Sequence, residues 1–154
     1  MTGKAKPLLN ILREGDDKKS MARASLAREL HAEVKNETGL LGRVISTLAL
    51  EKIYIVHLSV YSSGDSGYLQ IVTKDNAKAK KAMEHFIPKI EDRSVVIVEF
   101  ENKVGTLAPV AKVLGNHDIF IDYCYGTSGD GFKIVGVFST SDNEKAAQVI
   151  NAEC

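Results

Sequence analysis

Little in this sequence is extreme, and what it has little of narrows the reading. It holds two cysteines, Cys124 inside an apolar stretch and Cys154 at the last position. That excludes a disulfide framework, and Cys124 reads as a small buried hydrophobe. No single sign of charge dominates: 20 Lys and Arg balance 20 Asp and Glu. The chain therefore has no overall field to draw it to nucleic acid or an anionic membrane. Aromatic residues make up 6% of the chain and no basic face accompanies them, which argues against an RNA-stacking sheet. No apolar run approaches the length that crosses a bilayer. Leu8-Leu9-Asn10-Ile11-Leu12, behind Lys4 and Lys6, is too short and too polar-flanked for a secretory leader, so a cytoplasmic location is expected.

Catalytic motifs are missing as well. His31, His57, His85 and His117 share no close metal-ligand spacing. His57, within a strand, is the one histidine weighed as a ligand, and no metal site is predicted. Gly126-Thr127-Ser128-Gly129-Asp130-Gly131 lacks the Lys-Ser/Thr ending of a phosphate loop and reads as a hairpin. No Ser-His-Asp or Cys-His set can be assembled. The chain is predicted to be no enzyme and to need no cofactor.

What is present is a sentence spoken twice. Val95 to Phe100 is a buried apolar run, followed by the turn Glu101-Asn102-Lys103-Val104-Gly105. An amphipathic segment from Thr106 to Gly115 comes next, then the apolar Ile119 to Tyr125. Earlier, Leu30, Ala32 and Val34 alternate with Glu29, His31 and Glu33, a strand with one wet face. Lys35-Asn36-Glu37-Thr38-Gly39 leads into a helical stripe of Leu40, Leu41, Val44, Ile45 and Leu48. Leu41, Val44, Leu48, Ile53 and Ile55 then match Leu107, Val110, Leu114, Ile119 and Ile121, an internal duplication at a period of sixty-six residues. Each half continues with a hairpin, a strand and a second helix. Asp75 or Asn76 would cap the first of these helices, and Ser141 with Glu144 would form a capping box on the second. Each unit is thus β-α-β-β-α without a closing strand, so its sheet edge must be met by the other half, by another chain, or by both.

The turn, the helix stripe and the following strand, all occurring twice, resemble the ACT domain, a small regulatory module attached to enzymes of amino-acid metabolism. The resemblance spans about residues 28–152 and is closest to stand-alone tandem ACT proteins. It implies an α+β fold of two ferredoxin-like βαββα(β) units, joined edge to edge with helices on one face. The expected divisions are an N-terminal arm over 1–27, one unit over 28–90 and a second over 91–154. It also implies a free amino acid held at an interface between units, with a change in packing or partner binding as the output. The expected form is a homodimer or other homo-oligomer, acting on a regulated protein partner. The family's ligand loop falls on Asn36, Glu37, Thr38, Gly39, Leu40 and Leu41, and on Asn102, Lys103, Val104, Gly105, Thr106 and Leu107.

The residues support such a loop on their own. Gly39 and Gly105 sit where a strand turns sharply into a helix, which calls for positive φ. The first helical N–H groups lack internal partners and suit a carboxylate. Asn36 and Asn102 can each offer an amide donor and acceptor, so Asn102→Ala is expected to weaken ligand and spare folding. Tyr54 and Phe120 stand where serine-binding relatives have Asn, and Lys103-Val104 replaces a frequent Arg-Pro. A ligand with an apolar or aromatic part is therefore expected as readily as serine. Asp122 could meet a ligand ammonium. The alternative function is an interaction or oligomerisation module with no ligand.

Overall fold

The computed structural model describes residues 21–128 and 131–154. In chain order they form β1 (Ala22–Lys35), α1 (Leu40–Leu50), β2 (Ile55–Ser63), β3 (Ser66–Thr73) and α2 (Asn76–Met83). The second half gives β4 (Ile90–Glu101), α3 (Leu107–Asn116), β5 (Ile121–Ser128), β6 (Lys133–Thr140) and α4 (Asn143–Glu153). All six strands join one antiparallel sheet in the order β2-β3-β1-β4-β6-β5.

Two long strands explain the missing closing strands. β1 has 14 residues and β4 has 12, about twice the usual length. Leu30 to Lys35 of β1 pair with β3, while Ala22 to Ala32 pair with β4. Val96 to Glu101 of β4 pair in turn with β6. The first half of β4 is therefore the fourth strand of unit one, and the first half of β1 is the fourth strand of unit two. The Met21 N–H donates to the Cys154 carbonyl at 2.8 Å, closing the circuit. The first strand was expected from Arg28; it reaches back to Ala22, and the part of the expected arm over residues 1–20 lies outside the described residues. The two units meet through β1 and β4, as edge-to-edge joining required.

Two cores follow from this exchange. One gathers Leu30, Ala32, Ile71, Val44, Leu48, Ala79 and Met83, together with Ile90 from β4. The other gathers Val96, Val98, Val110, Leu114, Ala146 and Ile150, together with Ala22 and Ala24 from β1. Even-numbered residues of β1 and β4 serve both, so all four helices lie on one face of the sheet.

A repeated hydrogen-bond device fixes the second helix of each unit. Asn76 Oδ1 accepts from the Thr73 N–H at 3.0 Å and from Thr73 Oγ1 at 2.8 Å, and its Nδ2 donates to the Arg28 carbonyl at 3.0 Å. Asn143 does the same with Thr140 at 3.0 and 2.9 Å and with the Ser94 carbonyl at 2.8 Å. These pairs are sixty-seven residues apart, because the second hairpin holds one residue more than the first. The caps are Asp75 and Asp142, each accepting a backbone N–H at 2.9 Å. The Ser141–Glu144 capping box does not form. Asp142 stands next to the first helical residue, and Ser141 Oγ instead accepts from the Phe120 N–H at 3.0 Å. Asn143→Ala, which removes three bonds at a partly buried joint, should lower stability by about 2–3 kcal/mol. Asp142→Ala should cost about 1 kcal/mol, and chemical denaturation of the two variants measures the difference.

The face opposite the helices is not uniformly wet. Val72, Val95 and Val137 are buried there although they belong to neither helix-backed core. Sheet coiling brings the outer strands toward one another, and a cavity of about 380 Å³ is lined by His57 and Ser59 of β2 and by Tyr125 and Gly126 of β5. Glu29, expected on a wet face, is 0% exposed.

Candidate functional site

The two strand-to-helix loops take the predicted geometry. Gly39 has φ 85° and Gly105 has φ 87°, a region that costs any L-residue with a Cβ. At the start of α1 the Leu40 N–H donates to the Glu37 carbonyl at 3.3 Å and Arg43 N–H to the Gly39 carbonyl at 3.1 Å. The Leu41 and Gly42 N–H groups between them find no backbone acceptor among the described residues. At the start of α3, Thr106 N–H reaches the Lys103 carbonyl at 3.4 Å and Ala108 N–H the Gly105 carbonyl at 3.1 Å. The Leu107 N–H has no backbone acceptor among the described residues, and Pro109 has no N–H to offer. Unpaired amides at a helix start attract an anion.

Each loop borders an open crevice. The first, about 270 Å³, is lined by Asn36, Glu37, Gly39, Leu40 and Leu41 against Val60 and Tyr61 of β2. The second, about 370 Å³, is lined by Lys103, Gly105, Thr106 and Leu107 against Cys124 and Gly126 of β5. Within one chain the facing wall is the far half of the same unit's second strand. Thr38 does not line the first crevice, and Val104 is fully exposed beside the second. Cys124 is exposed, not buried as its setting suggested, because it lies on an edge strand beside that crevice.

Other candidates stand apart from the loops. Tyr54 and Phe120, 67% and 76% exposed, precede β2 and β5 at the ends of those strands remote from the loops. Asp122 accepts from Ser139 Oγ at 3.4 Å. A single chain thus brings most of each loop to a crevice, and leaves Tyr54, Phe120 and Asp122 outside it.

The two asparagines differ. The Asn36 N–H donates to the Asp65 carbonyl at 2.8 Å, and its side chain makes no hydrogen bond among the described residues. Asn102 donates from its N–H to the Phe132 carbonyl at 2.9 Å and from Nδ2 to the Gly131 carbonyl at 3.1 Å. It staples the loop to the β5–β6 hairpin. The expectation that Asn102→Ala spares folding is revised accordingly: it should cost about 1 kcal/mol. Asn36→Ala should stay within about 0.5 kcal/mol of the parent, and paired urea melts test the contrast.

A third cluster was not anticipated. Tyr123 and Tyr125, on one face of β5, both donate their hydroxyls to the Glu29 carboxylate of β1, Tyr125 at 2.6 Å. Burial pushes the Glu29 carboxyl above its ordinary value, opposed by the two phenols and by Arg93. Burial, and then the bond to Glu29, push both phenols up, so they remain protonated donors. Two tyrosines spaced by two in a strand were the available signal, since that spacing puts them on one face. Their carboxylate partner lies 94 and 96 positions away, beyond local pattern. Burial lowers the pKa of His57. Among the described residues no three His, Cys, Asp or Glu side chains converge as metal ligands do, and no helix is long and apolar enough to cross a membrane.

Comparison with known proteins bears on all of this. A family model described as an ACT domain pair matches residues 26–153. A protein of Bacteroides thetaiotaomicron, known from its crystal structure, is 29% identical with a TM-score of 0.76, over 84% of this chain and 89% of its own. The ligand-free regulatory subunit of aspartate kinase from Thermus thermophilus is 13% identical with a TM-score of 0.63, over 88% of this chain and 99% of its own. Aspartate kinase of Clostridium acetobutylicum is 19% identical with a TM-score of 0.56, over 86% of this chain and 34% of the enzyme. The last two likenesses concern the fold alone. No curated protein matches.

Proposed function

The chain belongs to the ACT domain pair family, whose modules are regulatory, and from that premise we propose that it senses a free amino acid without catalysing a reaction. The ligand's carboxylate lies against unpaired helix-start amides, Leu41 and Gly42 in one unit or Leu107 in the other. Its remaining atoms occupy the crevice between loop and second strand. The observation that carries this reading is the pair of open crevices beside those amides. Had the chain's own side chains filled both, the duplication would be scaffold alone.

Signalling follows from differential affinity. A ligand bound better by one packing of the units shifts the chain toward that packing, and a partner reads the shift. Tyr54, Phe120 and Asp122, outside the crevice in one chain, are available to a second copy in a homodimer. Titration calorimetry with each standard amino acid tests the reading. Saturable heat from one or a few of them is expected, and no heat from any up to millimolar concentration would remove it.

The exposed Tyr54 and Phe120, together with the outer edges of β2 and β5, favour a second reading in which the chain is an interaction module without a ligand. A stable complex in pull-down, indifferent to every added amino acid, would select that reading instead.

A further inference from the structure

We propose that the second unit's crevice is the working site and the first unit's is not, and that it selects an amino acid with an apolar side chain. This rests on the amino-acid reading above and narrows it. The duplication supplies an internal control, since corresponding positions can be compared within one chain. Leu58 and Val60 of β2 correspond to Cys124 and Gly126 of β5, and Leu69 of β3 corresponds to Gly136 of β6. At three positions unit two has therefore exchanged a large aliphatic side chain for a small one or none. The crevice beside it is the larger, about 370 Å³ against 270 Å³.

The two glycines sit in tight places. A Cβ on Gly126 would stand 2.9 Å from the Val135 carbonyl oxygen, and one on Gly136 would stand 2.8 Å from the Phe138 ring. The strands and rings of unit two have closed around bare backbone at both positions, so neither glycine can regain a side chain without a shift of its neighbours.

The walls then set the chemistry. Phe100, Leu107, Ile134 and Phe138 line unit two's crevice. The hydroxyl of Thr106 there already reaches the Glu101 and Lys103 carbonyls at 2.8 and 3.0 Å. A polar ligand side chain entering among these rings and aliphatic groups would lose water for little return, whereas an apolar one gains by leaving water. Unit one instead shows Asn36, Glu37 and Ser62 around a space that Val60 and Leu69 narrow. At the mouth of unit two, the Leu107 N–H is open to a carboxylate. Lys103 beside it is paired with Glu101, its ammonium 2.6 Å from that carboxylate.

The test is calorimetry on the full chain with L-leucine, L-methionine and L-phenylalanine against L-serine and L-aspartate. It is repeated on Cys124→Phe, which fills the crevice, and on the milder Cys124→Leu, which restores unit one's residue. We expect one ligand per chain and at least tenfold tighter binding of an apolar amino acid than of serine. A tenfold or greater loss is expected in Cys124→Phe and a smaller one in Cys124→Leu. Two equivalent ligands per chain, tighter binding of serine or aspartate, or unchanged affinity in both variants would overturn the proposal while leaving amino-acid sensing intact. Silence from every amino acid would overturn both. Stoichiometry and selectivity are read on the parent chain, so a misfolded variant does not shield the proposal.

Discussion

Glu29→Ala is expected to destabilise the protein by about 2–5 kcal/mol, because it empties a buried position and orphans two hydroxyls at once. Glu29 is 0% exposed, and Tyr123 and Tyr125 both donate to it from three strands away in the sheet order. Glu29→Gln keeps the volume and an acceptor for one phenol, so it should lose far less. The two substitutions also separate packing from charge. Burial holds the Glu29 carboxyl above its ordinary value, so the folded chain retains a proton that the unfolded chain releases. Stability from that proton is full below the ordinary carboxylate range. It declines as pH rises from there through the raised value. Urea denaturation at a series of pH values should show this decline in the parent. Glu29→Gln, which cannot titrate, should lack it.

Gly105→Val is the second large effect, at about 2–3 kcal/mol of lost stability together with lost ligand affinity. Gly105 has φ 87°, and a Cβ placed there would meet nothing within 4 Å, so the cost is backbone strain and not crowding. An L-residue pays about 1–2 kcal/mol in this region and a β-branched one more. Relief of that strain would turn the first peptides of α3, carrying the Leu107 N–H away from the crevice. Gly115, within α3 at negative φ and equally uncrowded, provides the control: Gly115→Ala should be neutral or stabilising by up to about 1 kcal/mol. Thermal melts of the two variants, run beside calorimetry, check both halves of the expectation.

Much of the fold was written in local pattern. Gly39 and Gly105 announced their backbone conformation because only glycine takes it cheaply. Val44 and Leu48, and Val110 and Leu114, announced a helix stripe by spacing, and both pairs are buried. What local pattern could not show was where β1 begins. Ala22 to Ala27 is alanine-rich and arginine-bearing, a weak strand signal by composition. Those residues become a strand because β4 pairs with them along their whole length. The puzzle of the absent closing strands had the same origin, since one strand serving two units looks in sequence like one strand too few. Ser141 misled for another reason: Asp142, one position on, competes for the same cap.

The candidate site divides along similar lines. The loops were visible because their chemistry is contiguous, glycine followed by the bare start of a helix. Asn102 was visible but its staple was not, since the hairpin acceptor at Gly131 lies across a turn whose register the sequence does not state. Tyr54 and Phe120 stand out only through the family resemblance, and position along a strand, which decides their distance from the loops, depends on pairing. Glu29 was hidden most deeply. Alternation placed it correctly opposite Leu30, but sheet coiling, and not alternation, decides that this side is closed.

If helix-start amides hold the ligand, amide resonances followed during a titration with L-leucine address those groups themselves. The Leu107 amide, with Gly105 and Thr106 beside it, should move most and saturate with the calorimetric affinity. Shifts absent from that loop and from Gly39 to Gly42, or largest along the β1–β4 seam, would contradict amide-held binding.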